Sequence, residues 1–224
     1  METGYQVYTL RVSSGKMINY CYILVDAKSQ EAAIIDPAWE LDKITTQLEA
    51  LGVNLKFILL THSHNDHVDL VHALIPKYQP SVYMSRIESE YYEYDCDSLI
   101  RFEDKDCIQL GETTITCLVT PGHTKGSSCF LLSDDIFTGD TVFIEGCGMC
   151  EGAGASPDDL FESVQKIKGI AEKHVRVYPG HSFGKEPGYS MTYLSTYNIY
   201  FQLDKEDFIN FRMRKNQKVL YSFV

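Results

Sequence analysis

The sequence predicts an α/β chain in which two mixed sheets pack face to face with helices outside. Three observations carry this reading: short β-branched and aromatic runs recur in both halves of the 224 residues, segments of helical period fall between them, and polar clusters sit at strand ends. Residues 5–12 (YQVYTLRV), 18–25 (INYCYILV) and 31–35 (EAAII) read as consecutive strands separated by the turn-like SSGK and DAKSQ. Trp39, Leu41, Ile44, Leu48 and Leu51 follow at near-helical spacing, and Gly52 is a good stop for a helix over 39–51. The run LKFILL is a short buried strand that ends directly at Thr61-His62, so its terminus delivers the first histidines into a cleft. A second half repeats the scheme, with strands near 113–119, 127–132 and 135–138, a helix from about Pro157 to Glu172 and a strand Val175 to Tyr178. The tail from Tyr189 to Asn216 reads as helical, its Tyr193, Tyr197, Tyr200, Phe201, Phe208 and Phe211 expected to pack a core.

Hydrophobic residues make up 44% and charged residues 23%, ordinary globular usage, and no Pro/Gly/Ser tract or charge block marks a linker. One domain over 1–224 is expected. Met1 to Tyr5 lack the basic flank and apolar run of a signal peptide, and no stretch approaches the ~20 apolar residues of a membrane span. A cytoplasmic protein without a membrane partner is the expectation, while oligomeric state is left open. Seven cysteines, an odd number, argue against a disulfide framework. Cys117 and Cys129 read as small buried hydrophobes, and Cys147-x-x-Cys150 stays open between that reading and a redox or metal pair. A net charge of −11, with 31 acidic against 20 basic residues, repels phosphodiester backbones and disfavours nucleic-acid partners. Arg212, Arg214, Lys215 and Lys218 form a local basic cluster, either a solvated helix face or a dock for an acidic partner.

The sharpest signal is Thr61-His62-Ser63-His64-Asn65-Asp66-His67, three histidines and one aspartate within six residues. Imidazole nitrogen and carboxylate oxygen suit a borderline divalent ion, and alternate side chains can give His62 and His64 to one ion, Asp66 and His67 to another. His123 in TPGHT, Asp140 in FTGDT and His181 in YPGH each follow a strand and a Gly turn, which places the side chain in a cleft rather than in the sheet. His72 and His174 lack this setting and are assigned to a helix surface or strand edge.

With these residues the sequence resembles the metallo-β-lactamase-fold superfamily, whose motifs are matched by Asp36, the His62 to His67 block, His123, Asp140 and His181. The resemblance implies an αββα sandwich, one ion on His62, His64 and His123, the other on Asp66, His67 and His181, and Asp140 bridging. Asp36 is then a residue that orients the ligand loop, or a strand-ending turn residue before Pro37. TPGHTKG, FTGDTVF and EGCG look most like glyoxalase II-type thioester hydrolases. Met149 and Cys150 stand where glutathione thioesterases usually carry a Lys. The segments FIEGCGMCEGAG, YPGHSFGKEPG and FRMRKNQ look instead like the zinc hydrolases of bacterial trans-acyltransferase, bacillaene-type polyketide systems. That resemblance implies two zinc ions, with iron or manganese as alternatives, and hydrolysis of acyl thioesters on acyl carrier protein. Asp66 is the candidate catalytic carboxylate, placed to hold the attacking oxygen in line. The alternatives are a hydroxyacylglutathione hydrolase and a mononuclear iron persulfide dioxygenase.

Overall fold

A computed structural model describes residues 4–215. The first sheet takes β1 (Tyr5–Ser14), β2 (Met17–Asp26), β3 (Glu31–Ile35), β4 (Asn54–Leu59), β5 (Ser81–Ser85) and β6 (Leu99–Phe102) in that order, antiparallel up to β3 and parallel beyond. The second takes β7 (Cys107–Leu110), β8 (Thr113–Val119), β9 (Ser128–Leu131), β10 (Asp135–Gly139), β11 (Arg176–Pro179) and β12 (Tyr189–Ser190), of which only β10 and β11 run parallel. Helices α1 (Leu41–Leu51) and α3 (Val71–Tyr78) are crossovers of the first sheet, and α5 (Pro157–Ile170) crosses from β10 to β11. Short α2 (Asn65–Val68) and α4 (Arg86–Tyr91) follow β4 and β5, and the chain closes with α6 (Met191–Tyr197), a 3-10 turn at Ile199–Phe201 and α7 (Lys205–Arg212).

The apolar run of β2 is continuous because both of its faces are covered. Tyr20, Tyr22 and Leu24 point between the sheets, where they meet Phe130, Phe137 and Tyr178. Cys21, Ile23 and Val25 pack on the opposite face with Ile44 and Leu48 of α1 and Val71 and Leu74 of α3. The second sheet mirrors this, with Cys129, Ile136 and Val177 under Leu160, Val164 and Ile167 of α5 and Leu194 of α6. Each such side chain contributes about 1.5–3 kcal/mol when fully buried, so helix, sheet, sheet and helix are held as four layers. Cys117 and Cys129 are fully buried, as expected.

The differences from the sequence reading are local. The first helix starts at Leu41 rather than 39 because Trp39 takes a left-handed φ of 64°. The α5 helix ends at Ile170, where Ala171 turns extended. The tail is not one helical stretch. Tyr189–Ser190 add a strand to β11, and Asn198 breaks the helix: its Nδ2 donates to the Phe143 and Gly146 carbonyls at 3.0 and 2.9 Å, and its Oδ1 caps Tyr200 N at 3.0 Å. Tyr200, Phe201 and Phe208 are buried as expected, but Tyr197 is 62% exposed. Asn216 and Lys218 lie outside the described residues. The segment between α2 and β8 yielded no elements to sequence reasoning; α3 is interrupted in pattern by Pro76, and β6 and β7 have four residues each, too few to show a period. His72 is exposed on α3, and His174 is exposed just before β11. Among the described residues no helix is long and apolar enough to cross a membrane.

Candidate metal centre

All seven predicted donors converge at the C-terminal ends of β4, β8, β10 and β11. The loop after β4 gives His62 and His64, and the short α2 that follows it gives Asp66 and His67; the β8–β9 loop gives His123; the ends of β10 and β11 give Asp140 and His181. Two glycines make the convergence possible. Gly122 takes φ 136°, where a Cβ would stand 2.3 Å from the Leu160 backbone, and a Cβ on Gly180 would stand 2.6 Å from both Asp140 Oδ1 and His67 Cε1.

The donors form two groups. His62 Nε2, His64 Nδ1 and His123 Nε2 face one another, His64 Nδ1 lying 3.0 and 3.1 Å from the other two. Asp66, His67 and His181 form the second group, with His181 Nε2 3.4 Å and His67 Nε2 3.8 Å from Asp66 Oδ2. Asp140 spans both: Oδ2 lies 3.6 Å from His123 Nε2 and 3.2 Å from His181 Nε2, while Oδ1 lies 3.5 Å from His67 Nε2.

The outer ring nitrogens are tied down. His123 Nδ1 donates to Met149 O at 2.8 Å and His181 Nδ1 to Ile18 O at 2.9 Å; since a carbonyl only accepts, Nε2 is the nitrogen that faces inward in each ring, and it offers a lone pair whenever the ring is neutral. His67 Nδ1 donates to Asp36 Oδ2 at 2.8 Å, and His62 Nδ1 donates to Thr61 Oγ1 at 3.0 Å, which in turn donates to Asp36 at 2.6 Å. Asp36 is thus both readings at once, a turn residue with φ 50° and the anchor of the ligand loop. Asp36, His62 and His67 also lie within ligand distance of one another, but both Asp36 oxygens are taken, Oδ1 by Thr61 N at 2.8 Å, so Asp36 supports rather than binds.

Residues present fit a divalent cation. His67 Nε2 and Asp140 Oδ1 are buried acceptors with no hydrogen-bond partner, which an ion between them satisfies. Burial disfavours charge at Asp140, yet the imidazoles of His181 and His67 hold its carboxyl well below the usual range. Against the same burial, the His181 hydrogen bond and the nearby His67 hold Asp66 at about 2. Burial and neighbouring imidazoles push His62 well down and His123 down, whereas carboxylates outweigh burial and raise His67 and His181. The first group therefore includes the neutral nitrogens of His62 and His123, and the second carries the anionic oxygens.

Two supporting residues escaped the sequence reading. Asn19, buried in β2, donates from Nδ2 to Asp66 O at 2.6 Å and Oδ2 at 3.3 Å; its only signal was a lone amide inside INYCYILV. Glu88 of α4 is fully buried between two ligand loops. The basic cluster needs correction. Arg212 is buried, its Nη1 donating to Cys147 O and Gly148 O at 3.1 and 3.3 Å, so it braces a loop rather than facing solvent; Arg214 and Lys215 are exposed. Cys147 and Cys150 are also buried, burial pushing both thiols up to about 12, and neither joins a donor cluster among the described residues. The open reading resolves toward packing, because a thiol is reactive only as thiolate.

A cavity of ≈340 Å³ opens onto His64, Asp66, His123, Asp140 and His181. Its walls are mostly apolar, built by Phe143, Met149, Phe183, Ile199 and Phe211, with Glu145 and Arg214 among the polar exceptions. A donor cage that is buried except at exposed His64 and half-buried Asp66, under an apolar mouth, can polarise and hydrolyse a carbonyl carried on a hydrophobic group.

The metallo-beta-lactamase superfamily model matches residues 15–181. The chain belongs to that superfamily. This metallo-β-lactamase-superfamily chain is 50% identical over 224 residues, all of both chains, to the probable polyketide biosynthesis zinc-dependent hydrolase PksB of Bacillus subtilis (strain 168). BaeB of Bacillus velezensis, named in the same words, is likewise 50% identical over the whole of both chains. The cytoplasmic hydroxyacylglutathione hydrolase of Saccharomyces cerevisiae is 34% identical over 74% of this chain and 64% of its own. Among solved structures, ETHE1 from Myxococcus xanthus gives a TM-score of 0.83 at 24% identity, covering 94% of this chain and 92% of that one. A metallo-beta-lactamase from Staphylococcus aureus subsp. aureus COL gives 0.84 at 22% identity, covering 96% and 69%. The predicted sandwich of two mixed sheets flanked by helices is the fold of the superfamily.

Proposed function

We propose that the protein is a single-domain, cytoplasmic, binuclear zinc hydrolase of acyl thioesters carried on acyl carrier protein in polyketide biosynthesis. The observation that carries the chemistry is the donor cage with Asp140 reaching both groups at 3.2–3.6 Å, beneath a cavity whose walls are apolar. Full-length relatives named as probable polyketide biosynthesis zinc-dependent hydrolases support the substrate class. We assign His62, His64 and His123 to one ion, Asp66, His67 and His181 to the other, and Asp140 to both. Zinc bound there supplies Lewis acidity for the thioester carbonyl and lowers the pKa of an attacking water toward ~7.

The chain's own residues do the rest. Asp66 Oδ2 accepts a hydrogen bond from the attacking water and aligns it with the carbonyl, its carboxylate kept ionised by His181 and His67. Phe143, Phe183, Ile199 and Phe211 hold the acyl group and exclude bulk water. Water adds to the thioester carbon, the C–S bond breaks, and a carboxylic acid and the carrier thiol leave.

The test is hydrolysis of one acyl group offered on a phosphopantetheinylated carrier protein and on glutathione, followed by mass spectrometry with chelator controls. Chelator-sensitive preference for the carrier protein is expected. Preference for glutathione assigns the protein to the glyoxalase II activity, and oxygen uptake with bound iron to the persulfide dioxygenase activity.

A further inference from the structure

We infer that Glu88 is a positioning residue for one metal ion only, the clamp that sets the spacing of His62, His64 and His123. The inference rests on the ligand assignment above. Glu88 lies in α4, outside every motif, and its side chain is fully buried. Its Oε1 accepts from Ser63 N and Ser63 Oγ, both at 2.8 Å. Its Oε2 accepts from Thr124 Oγ1 at 2.8 Å and Gly126 N at 2.9 Å. Ser63 stands between His62 and His64 in the chain, and Thr124 directly follows His123. One carboxylate therefore joins the two loops that bring His62 Nε2 and His123 Nε2 to 3.0 and 3.1 Å from His64 Nδ1.

The helix that carries it is fixed in turn. Ser85, its N-cap, accepts from Glu88 N at 3.1 Å and donates to Gly126 O at 2.7 Å, so the helix start and the β8–β9 loop are one hydrogen-bonded unit. The second group has other supports, Asp36 on His67, Asn19 on Asp66 and the Ile18 carbonyl on His181, none of which contacts Glu88. The two ions are thus braced by separate sets of residues apart from the Asp36–Thr61 link to His62.

Glu88→Gln is the decisive change because it keeps shape. Two of the four donors are hydroxyls, which rotate, but Ser63 N–H and Gly126 N–H are fixed on opposite oxygens. Whichever way the amide turns, its NH2 opposes one backbone N–H and spreads the loops. The metal-free protein, prepared with chelator, is titrated with Co²⁺ by visible absorption and with Zn²⁺ against a competing chelator, and bound zinc is counted by elemental analysis. The wild type is expected to bind two ions. Glu88→Gln is expected to weaken one by about 10–100-fold and leave the other within about threefold, the scale of lost outer support. Asp66→Ala identifies the other binding step, and the double variant is expected to lose that ion and to bind the remaining one about 10–100-fold more weakly. Thr124→Val, which removes one donor, is expected to weaken the same ion as Glu88→Gln by less, and decides the matter if Glu88→Gln does not fold. Equal weakening of both ions, or wild-type affinity at both, overturns the inference. A wild type that binds fewer than two ions overturns the ligand assignment itself, and does so before any variant is compared.

Discussion

Gly180→Ala tests whether the donor cage has the rigidity that the chemistry requires. The new Cβ would stand 2.6 Å from Asp140 Oδ1 and from His67 Cε1, so something must yield to reach ordinary contact at 3.4 Å, a displacement of about 0.8 Å. The glycine cannot retreat freely: its N–H donates to Gly139 O at 2.9 Å and its carbonyl accepts from Tyr20 N at 2.8 Å, pinning it to both sheets. The side chains must move instead, and His67 is held from behind by Asp36. Metal sites tolerate about 0.2 Å in ligand distance, so a displacement of about 0.8 Å is several times too large. We expect zinc affinity to fall about 10–100-fold and kcat/KM on a carrier-bound thioester about 100-fold, equivalent to about 2.7 kcal/mol. The assay pairs zinc content after dialysis with steady-state hydrolysis. Gly169→Ala in α5 is the control, since nothing lies within 4 Å of its Cβ; it should leave activity unchanged and raise stability by about 0.5–1 kcal/mol. A Gly180→Ala enzyme with two zinc ions and kcat/KM within about threefold of wild type would refute the argument.

Three further outcomes are expected. Asp66→Ala should lower kcat at least about 100-fold and bound zinc from two to one while the metal-free protein melts near the wild-type temperature; unchanged turnover sinks its role. Asp26, fully buried, accepts from Ser29 N and Oγ at 2.8 Å, Thr113 Oγ1 at 2.8 Å and Glu112 N at 3.1 Å, and these bonds outweigh burial to hold it at about 2 against an ordinary 3.8. Because the folded value is depressed, its stabilisation of about 2.5 kcal/mol is complete above the unfolded pKa and fades as pH falls from about 4 through 2. In urea unfolding of the metal-free protein, the deficit of Asp26→Asn should shrink over that window, and a pH-independent deficit contradicts the account. Glu at both Arg214 and Lys215 should raise KM for carrier-bound substrate about tenfold and act less on a small acyl thioester; equal losses would remove these residues from carrier docking.

The seven donors were legible because the chemistry concentrates them. Four lie within six residues just after a strand, and His123, Asp140 and His181 each sit behind a strand and a glycine, a local pattern that needs no knowledge of packing. Their supports were not legible, because each meets its partner far along the chain. Asn19 bonds a residue 47 positions away, Glu88 bonds residues 25 and 36 away, and Asp26 reaches across 87 to tie β2 to the second sheet. Nothing local separates such a side chain from an ordinary surface polar group. Arg212 misled for the same reason: charge composition suggests solvent, and only the tertiary fold turns that face of α7 onto the Cys147 and Gly148 carbonyls. In the fold, the long strands with two covered faces read cleanly, while β6, β7 and β12, of four, four and two residues, depend on pairing partners for their existence.

The superfamily match ends at residue 181 and contains every donor, whereas Ile199, Tyr200, Phe211, Arg212 and Arg214 of the cavity lie beyond it. The donor cluster and much of the cavity wall thus come from different parts of the chain, and residues 143–149 connect them. From the C-terminal side, Asn198 holds the carbonyls of Phe143 and Gly146, and Arg212 those of Cys147 and Gly148. On the side of the donors, the next carbonyl, Met149 O, accepts from His123 Nδ1 and fixes which nitrogen faces the other donors. A change in the C-terminal segment that reshapes the wall therefore pulls on the same loop that sets the His123 tautomer. The cavity wall and the support of His123 thus share one loop, and a change that displaces the carbonyls of residues 143–149 is expected to disturb both, read as a joint change in zinc affinity and in KM.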